Sequence, residues 1–132
     1  MTKKDKRYFD LARIVSYNSD HHRFKIGAVI VKKNRIIAIG TNTEKTHPIQ
    51  KHYDKFRKFP THHRIHAEIK AIINSKLNHL DGCSIYIYRE TKSGHLANSR
   101  PCPSCIQMIK NYGIRKIGYS TNDGFCIEEL QY

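Results

Sequence analysis

Four side chains in this sequence have the types and the spacing for metal-assisted hydrolysis. His66 and Glu68 stand two residues apart in "RIHAEIKAI", residues 64–72, and Cys102 and Cys105 form a C-x-x-C in "SRPCPSCIQMIK", residues 99–110. Thiols spaced this way at a helix start lie one turn apart, and the positive end of the helix favours their thiolate form. Two thiolates and an imidazole suit Zn²⁺, whereas soft sulfur donors argue against Mg²⁺ or Ca²⁺. Three protein ligands leave a tetrahedral zinc one open position, the mark of a catalytic rather than a structural ion. A water in that position is acidified toward neutral pH. Glu68, beside a ligand on the same helix turn, can take that proton and pass it on without binding the metal. The expectation is one zinc per chain held by His66, Cys102 and Cys105, with Glu68 as the catalytic residue.

Plainer roles exist for the same residues. A structural zinc would need a fourth ligand, and His62, His63 and His95 are candidates among the nine histidines. Glu68 would then have no task. Taken alone, Glu68 is an acidic residue favoured near a helix N-terminus. Cys83 and Cys126 are expected to be small core residues with no chemical role.

Helices and strands must bring these residues together. "DKRYFDLARIVSYN", residues 5–18, puts Tyr8, Leu11, Ala12 and Val15 at helical spacing. Residues 24–32, "FKIGAVIVK", and 36–40, "IIAIG", are apolar β-branched runs joined by "KKNR", and predict a hairpin. A helix is predicted from His66 to Lys76, a strand over "CSIYIYRE" at 83–90, and a helix from Pro103 to Tyr112. Pro103 suits a first helical position, and Gly113 suits a C-terminal cap. "KIGYS" and "FCIEEL" are two more strands with only "TNDG", Thr121 to Gly124, between them. A parallel connection needs a dozen or more residues, so these two are expected to form an antiparallel hairpin. The order α, β-β, α, β, α, β-β predicts one α/β domain over residues 1–132, a central five-stranded mixed sheet flanked by helices in three layers.

The stretch from about 43 to 65 has no clean period and reads as a long loop inserted into that domain. Within it, "KHYDKFRKF", residues 51–59, interleaves Lys51, Lys55, Arg57 and Lys58 with Tyr53, Phe56 and Phe59. Cations beside aromatics suit single-stranded nucleic acid. A lid over the site, with or without a contact from its cations to a nucleotide phosphate, is the favoured reading. The formal net charge of +13 makes an anionic partner plausible and says nothing about fold. The charged start, "MTKKDKRYFD", lacks the apolar run of a secretory signal, and no apolar run approaches membrane-spanning length. A cytoplasmic, reduced, membrane-free protein with unpaired thiols is therefore expected.

The paired motifs His66-Ala67-Glu68 and Pro101-Cys102-Pro103-Ser104-Cys105 resemble the H-A-E and P-C-x-x-C motifs of the cytidine and deoxycytidylate deaminase superfamily. The element order is also similar, over roughly residues 5–130. The resemblance implies hydrolytic deamination: an activated water attacks C4 of a cytosine base, and Glu68 moves the proton to N3 and to the departing ammonia. It also implies that the Ala67 backbone N–H contacts the base carbonyl. Asn42, in Gly40-Thr41-Asn42, stands where the family often has an asparagine against the nucleoside; on general grounds it is equally a strand-end turn residue. His66 as first ligand resembles the deoxycytidylate, nucleic-acid and free-base branches, while the short C-terminal hairpin does not resemble the nucleotide and tRNA deaminases that place a helix there. Three hypotheses follow. The first is a small-molecule deaminase of a cytosine nucleotide or nucleoside, deoxycytidylate being preferred. The second is a deaminase of cytosine or adenine in single-stranded DNA or RNA, including tRNA. The third is a non-catalytic zinc-stabilised module. Family members commonly self-associate, so a homo-oligomer is expected.

Overall fold

The computed structural model describes residues 1–20, 24–42 and 66–130. The basic loop, with residues 51–59, His62 and His63, lies outside the described residues. Helix α1 (Lys3–Ser16) leads to β1 (Lys25–Lys32) and β2 (Arg35–Thr41). Helix α2 (Ala67–Ser75), β3 (Ser84–Glu90), helix α3 (Pro103–Asn111), β4 (Lys116–Thr121) and β5 (Gly124–Glu129) follow. The sheet order is β2-β1-β3-β4-β5. Among the described strands, only β3 and β4 pair in parallel, across the crossover that carries α3. The hairpin expected at the end is present: Lys116 pairs with Glu129 and Thr121 with Gly124 in antiparallel register.

The strands read as near-continuous apolar runs because both faces of the sheet are covered. Alternate residues of β1 and β3 go to opposite layers. Ala28, Ile30, Ile85 and Ile87 pack with Ile69, Ile72, Met108 and Ile109 of α2 and α3. Val29, Val31, Tyr86 and Tyr88 pack under Tyr8, Phe9, Ala12 and Val15 of α1. Pro103 does open α3, and Gly113 follows its C-terminus with φ +91°, the left-handed conformation that favours glycine. The four cysteines are free thiols. Among the described residues, no helix is long and apolar enough to cross a membrane.

Helix α1 begins two residues before its predicted start because Thr2 and Asp5 form a capping box. The buried Asp5 does more than cap. Its Oδ1 accepts from Tyr86 Oη at 2.5 Å and from Lys116 Nζ at 3.1 Å, tying α1 to β3 and β4. Burial works to raise the Asp5 carboxyl's pKa, but the bonds from Tyr86, Thr2 and Lys116 outweigh it and hold the group well below the usual carboxylate range. A depressed folded-state pKa means stability that is present above the unfolded value, near 4, and lost as pH falls toward the folded value. Asp5→Ala should lower stability at pH 7 by about 2–3 kcal/mol; half-exposed Lys116 contributes the smaller share. The variant should also flatten the fall in thermal midpoint of the wild type below pH 4, which melts across pH 2–7 would measure.

Candidate functional site

Two helix starts supply the donors. His66 is the N-cap of α2 and Cys102 the N-cap of α3, positions usually given to Ser, Thr, Asp or Asn. Neither side chain caps its helix. They turn toward each other instead: His66 Nδ1 lies 3.1 Å from Cys105 Sγ and 3.9 Å from Cys102 Sγ. All donor atoms of His66, Cys102 and Cys105 fall within 4.8 Å of one another. A tetrahedral zinc with ordinary Zn–N and Zn–S bonds spaces its donors about 3.5–3.8 Å apart, so the three atoms fit one ion. His95 is not part of this group.

The electrostatics agree with a cation site. Cys102 accepts a hydrogen bond from Cys105, which together with His66 outweighs burial and pulls its thiol down to about 3. Cys105 is the counterpart: its bond to Cys102 and its burial push it well above the usual thiol range. Glu68 sits one residue into α2 and is buried, at 4% exposure. Burial pushes its carboxyl upward, with partial relief from the charge on His66, and Cys105 lies within its hydrogen-bond reach. The carboxyl therefore lies against the donor set without belonging to it.

Packing holds the two helix starts in place. A Cβ on Gly40 of β2 would stand 2.3 Å from the Ala71 nitrogen and 2.7 Å from the Ala67 carbonyl oxygen. The obstacle is backbone, so α2 seats directly on β2 and would have to move away to admit a methyl group. Gly40→Ala should cost about 2–3 kcal/mol and weaken zinc binding, as thermal melts and a competitive chelator titration would report. On the other side, Arg100, two residues before Cys102, forms a two-bond ion pair with Glu128 of β5 at 2.9 and 3.1 Å. Tyr119 donates to the same carboxylate at 2.6 Å. Ser99 and Ser120 bond each other and the carbonyls of Ile87 and Ala97, fixing the chain that enters the Cys102 turn.

Asn42, buried at the end of β2, spends its amide on the protein. Its Oδ1 accepts from Ser19 Oγ at 2.6 Å and Ile26 N at 2.9 Å, and its Nδ2 donates to the Phe24 carbonyl at 3.1 Å. Among the described residues, no acceptor meets its second amide hydrogen. Ala67 is the first residue of α2, fully buried, and its N–H is one of the first-turn amides that lack an intrahelical acceptor. The ties from Ser99, Ser120, Glu128 and Tyr119 are contacts that sequence reasoning did not reach.

Comparison with known proteins agrees with this geometry. Residues 2–121 match the model of the cytidine and deoxycytidylate deaminase zinc-binding region. An uncharacterized deaminase in the luxG 3′ region of Aliivibrio fischeri is 32% identical, covering 99% of this chain and 77% of that protein. A probable deoxycytidylate deaminase of Caenorhabditis elegans is 30% identical over 91% of this chain, which spans 58% of that protein's length. Among solved structures, the dCMP deaminase of cyanophage S-TIM5 superposes with a TM-score of 0.59 at 26% identity, over 90% of this chain and 84% of that one. The cytidine deaminase of Burkholderia pseudomallei shares the fold, with a TM-score of 0.65 at 16% identity over 98% of this chain and 93% of that one. With its family model matched over nearly the whole length and the histidine and two cysteines gathered at one point, the chain belongs to the cytidine and deoxycytidylate deaminase family.

Proposed function

We propose that this protein is a zinc-dependent hydrolase that deaminates a cytosine nucleotide or nucleoside, with deoxycytidylate as the preferred substrate. The observation that carries the reading is the buried Glu68 carboxyl lying against a three-donor set of His66, Cys102 and Cys105. The reaction exchanges an amine for an oxygen: cytosine and water give uracil and ammonia. When bound, zinc would supply a water made acidic enough to be a nucleophile at neutral pH. His66 through Nδ1 and the sulfurs of Cys102 and Cys105 would hold the ion and leave one position open to water. Glu68 would move protons. Its carboxylate would take one proton from that water and return it to N3 of the ring, then take the second proton from the new C4 hydroxyl and pass it to the amine, which leaves as ammonia as the C4–N bond breaks and the carbonyl forms. Burial suits it to both halves, because a desolvated carboxyl holds a proton more readily than an exposed one. The Ala67 N–H would orient the base through its carbonyl, and the remaining Asn42 amide hydrogen would face the sugar.

The relatives named as deoxycytidylate deaminases support the nucleotide as substrate class. So does the net charge of +13, which draws anions to the surface. A chelator should abolish deamination of deoxycytidylate, and stoichiometric Zn²⁺ should restore it. Undiminished turnover after complete removal of metal would refute the zinc-dependent reading.

A further inference from the structure

Among the described residues, one cation on the inner face of the sheet has no carboxylate to balance it. In β3, Ile85 and Ile87 pack in the cluster that contains Cys105, while Tyr86 and Tyr88 pack under α1. Alternation along the strand therefore turns Arg89 toward the α2–α3 layer. Its register partner Ile26 packs against that same cluster. The register also sets Arg89 at the sheet end where β1 begins and β2 finishes. The first turn of α2, with His66 as its cap, seats on Gly40 at that same end. Arg89 thus shares a layer and an end of the sheet with the donor set.

Its guanidinium is fixed on two sides. The plane lies over the Phe24 ring, 4.4 Å from the centroid, and Nη1 donates to the Asn98 carbonyl at 3.2 Å. Nε is sealed from solvent and, among the described residues, meets no acceptor. Among the described residues no carboxylate pairs with Arg89, in contrast to Arg100 with Glu128 and Lys116 with Asp5. A half-buried guanidinium has lost hydration that an anion normally restores. The fork of an arginine also matches two oxygens of a phosphate, and a fork already immobilised by a ring and a carbonyl loses little entropy in binding them.

We propose that Arg89 reads the anionic group of the substrate and sets the protein's specificity for a nucleoside monophosphate over the neutral nucleoside. This rests on the deaminase reading above and adds the charge of the substrate to it. Phe24 and Asn98 hold the guanidinium plane and its Nη1, and Nε is sealed, so Nη2 is the nitrogen left to meet the phosphate.

The test compares deoxycytidylate with deoxycytidine in steady-state deamination by the zinc-loaded protein, R89Q and R89K, each checked for folding by thermal melt. The wild type should prefer the nucleotide. R89Q should raise KM for deoxycytidylate at least about tenfold, the loss expected for one charge-assisted hydrogen bond. Its effect on deoxycytidine, which lacks the phosphate, should be at least about tenfold smaller, and R89K should recover part of the loss. Equal effects of R89Q on both substrates, or none on either, would overturn the assignment. So would a wild type that prefers deoxycytidine, which leaves the deaminase reading standing. If the wild type turns over neither, the proposed function fails, and calorimetric binding of the products deoxyuridylate and deoxyuridine decides Arg89 separately. R89Q must then weaken the nucleotide selectively for the assignment to survive.

Discussion

Glu68→Gln is expected to lower kcat for ammonia release by about 10²–10⁴-fold, the range for a positioned proton-transfer group, while the protein keeps one zinc per chain. Glutamine preserves the shape of the buried side chain and its place beside Cys105 but can neither accept nor return a proton. Zinc content by atomic absorption and steady-state kinetics on deoxycytidylate form a single experiment, because the two readouts must separate. If Glu68 were only a favourable charge at the start of α2, its replacement would cost a few tenths to 1 kcal/mol of stability and nothing in rate. Loss of zinc and activity together would instead make Glu68 part of the metal's support.

The second large effect is expected at Cys105. This residue is fully buried, packs in the core between α2, α3 and the sheet, and brings its sulfur within 3.1 Å of His66 Nδ1. Cys105→Ala should abolish retention of zinc through dialysis and deaminase activity with it. It should also remove the stabilisation that zinc gives the wild type, about 4 kcal/mol when the metal is at a thousandfold its Kd. The decisive comparison is with chelator-treated wild type. Cys105→Ala should melt close to it, lower by about 1 kcal/mol for the small cavity, and should not respond to added zinc. A zinc-dependent rise in melting temperature in the variant would show that the ion is held elsewhere.

The motif residues were legible in the sequence because their chemistry is local. A C-x-x-C opening a helix and a histidine two residues before a glutamate mark themselves, and the apolar runs around them could only be strands covered on both faces. The terminal hairpin was legible from chain length, since Thr121 to Gly124 is too short for a crossover. The start of α1 was missed although Thr2 and Asp5 carry a capping signature. The Asp5 contacts to Tyr86 and Lys116 span 81 and 111 residues, and no local pattern encodes them. The Arg100–Glu128 pair depends on the register of β5. Asn42 was legible as a strand-end residue, but its bonds to Ser19, Ile26 and Phe24 require the α1–β1 connection to be in place. Arg89 had a readable signal: alternation in "SIYIYRE" puts a cation on the same face as Ile85 and Ile87, which is where a buried charge calls for a partner.

The most direct test of the central claim is ammonia release by the zinc-loaded protein from cytidine, deoxycytidine, cytidylate, deoxycytidylate and a cytosine-containing single-stranded oligonucleotide. The account predicts equimolar ammonia and uracil product from a monomeric substrate, fastest with deoxycytidylate. Turnover of the oligonucleotide alone would contradict the small-molecule reading, and ammonia from none of the five would contradict cytosine deamination itself.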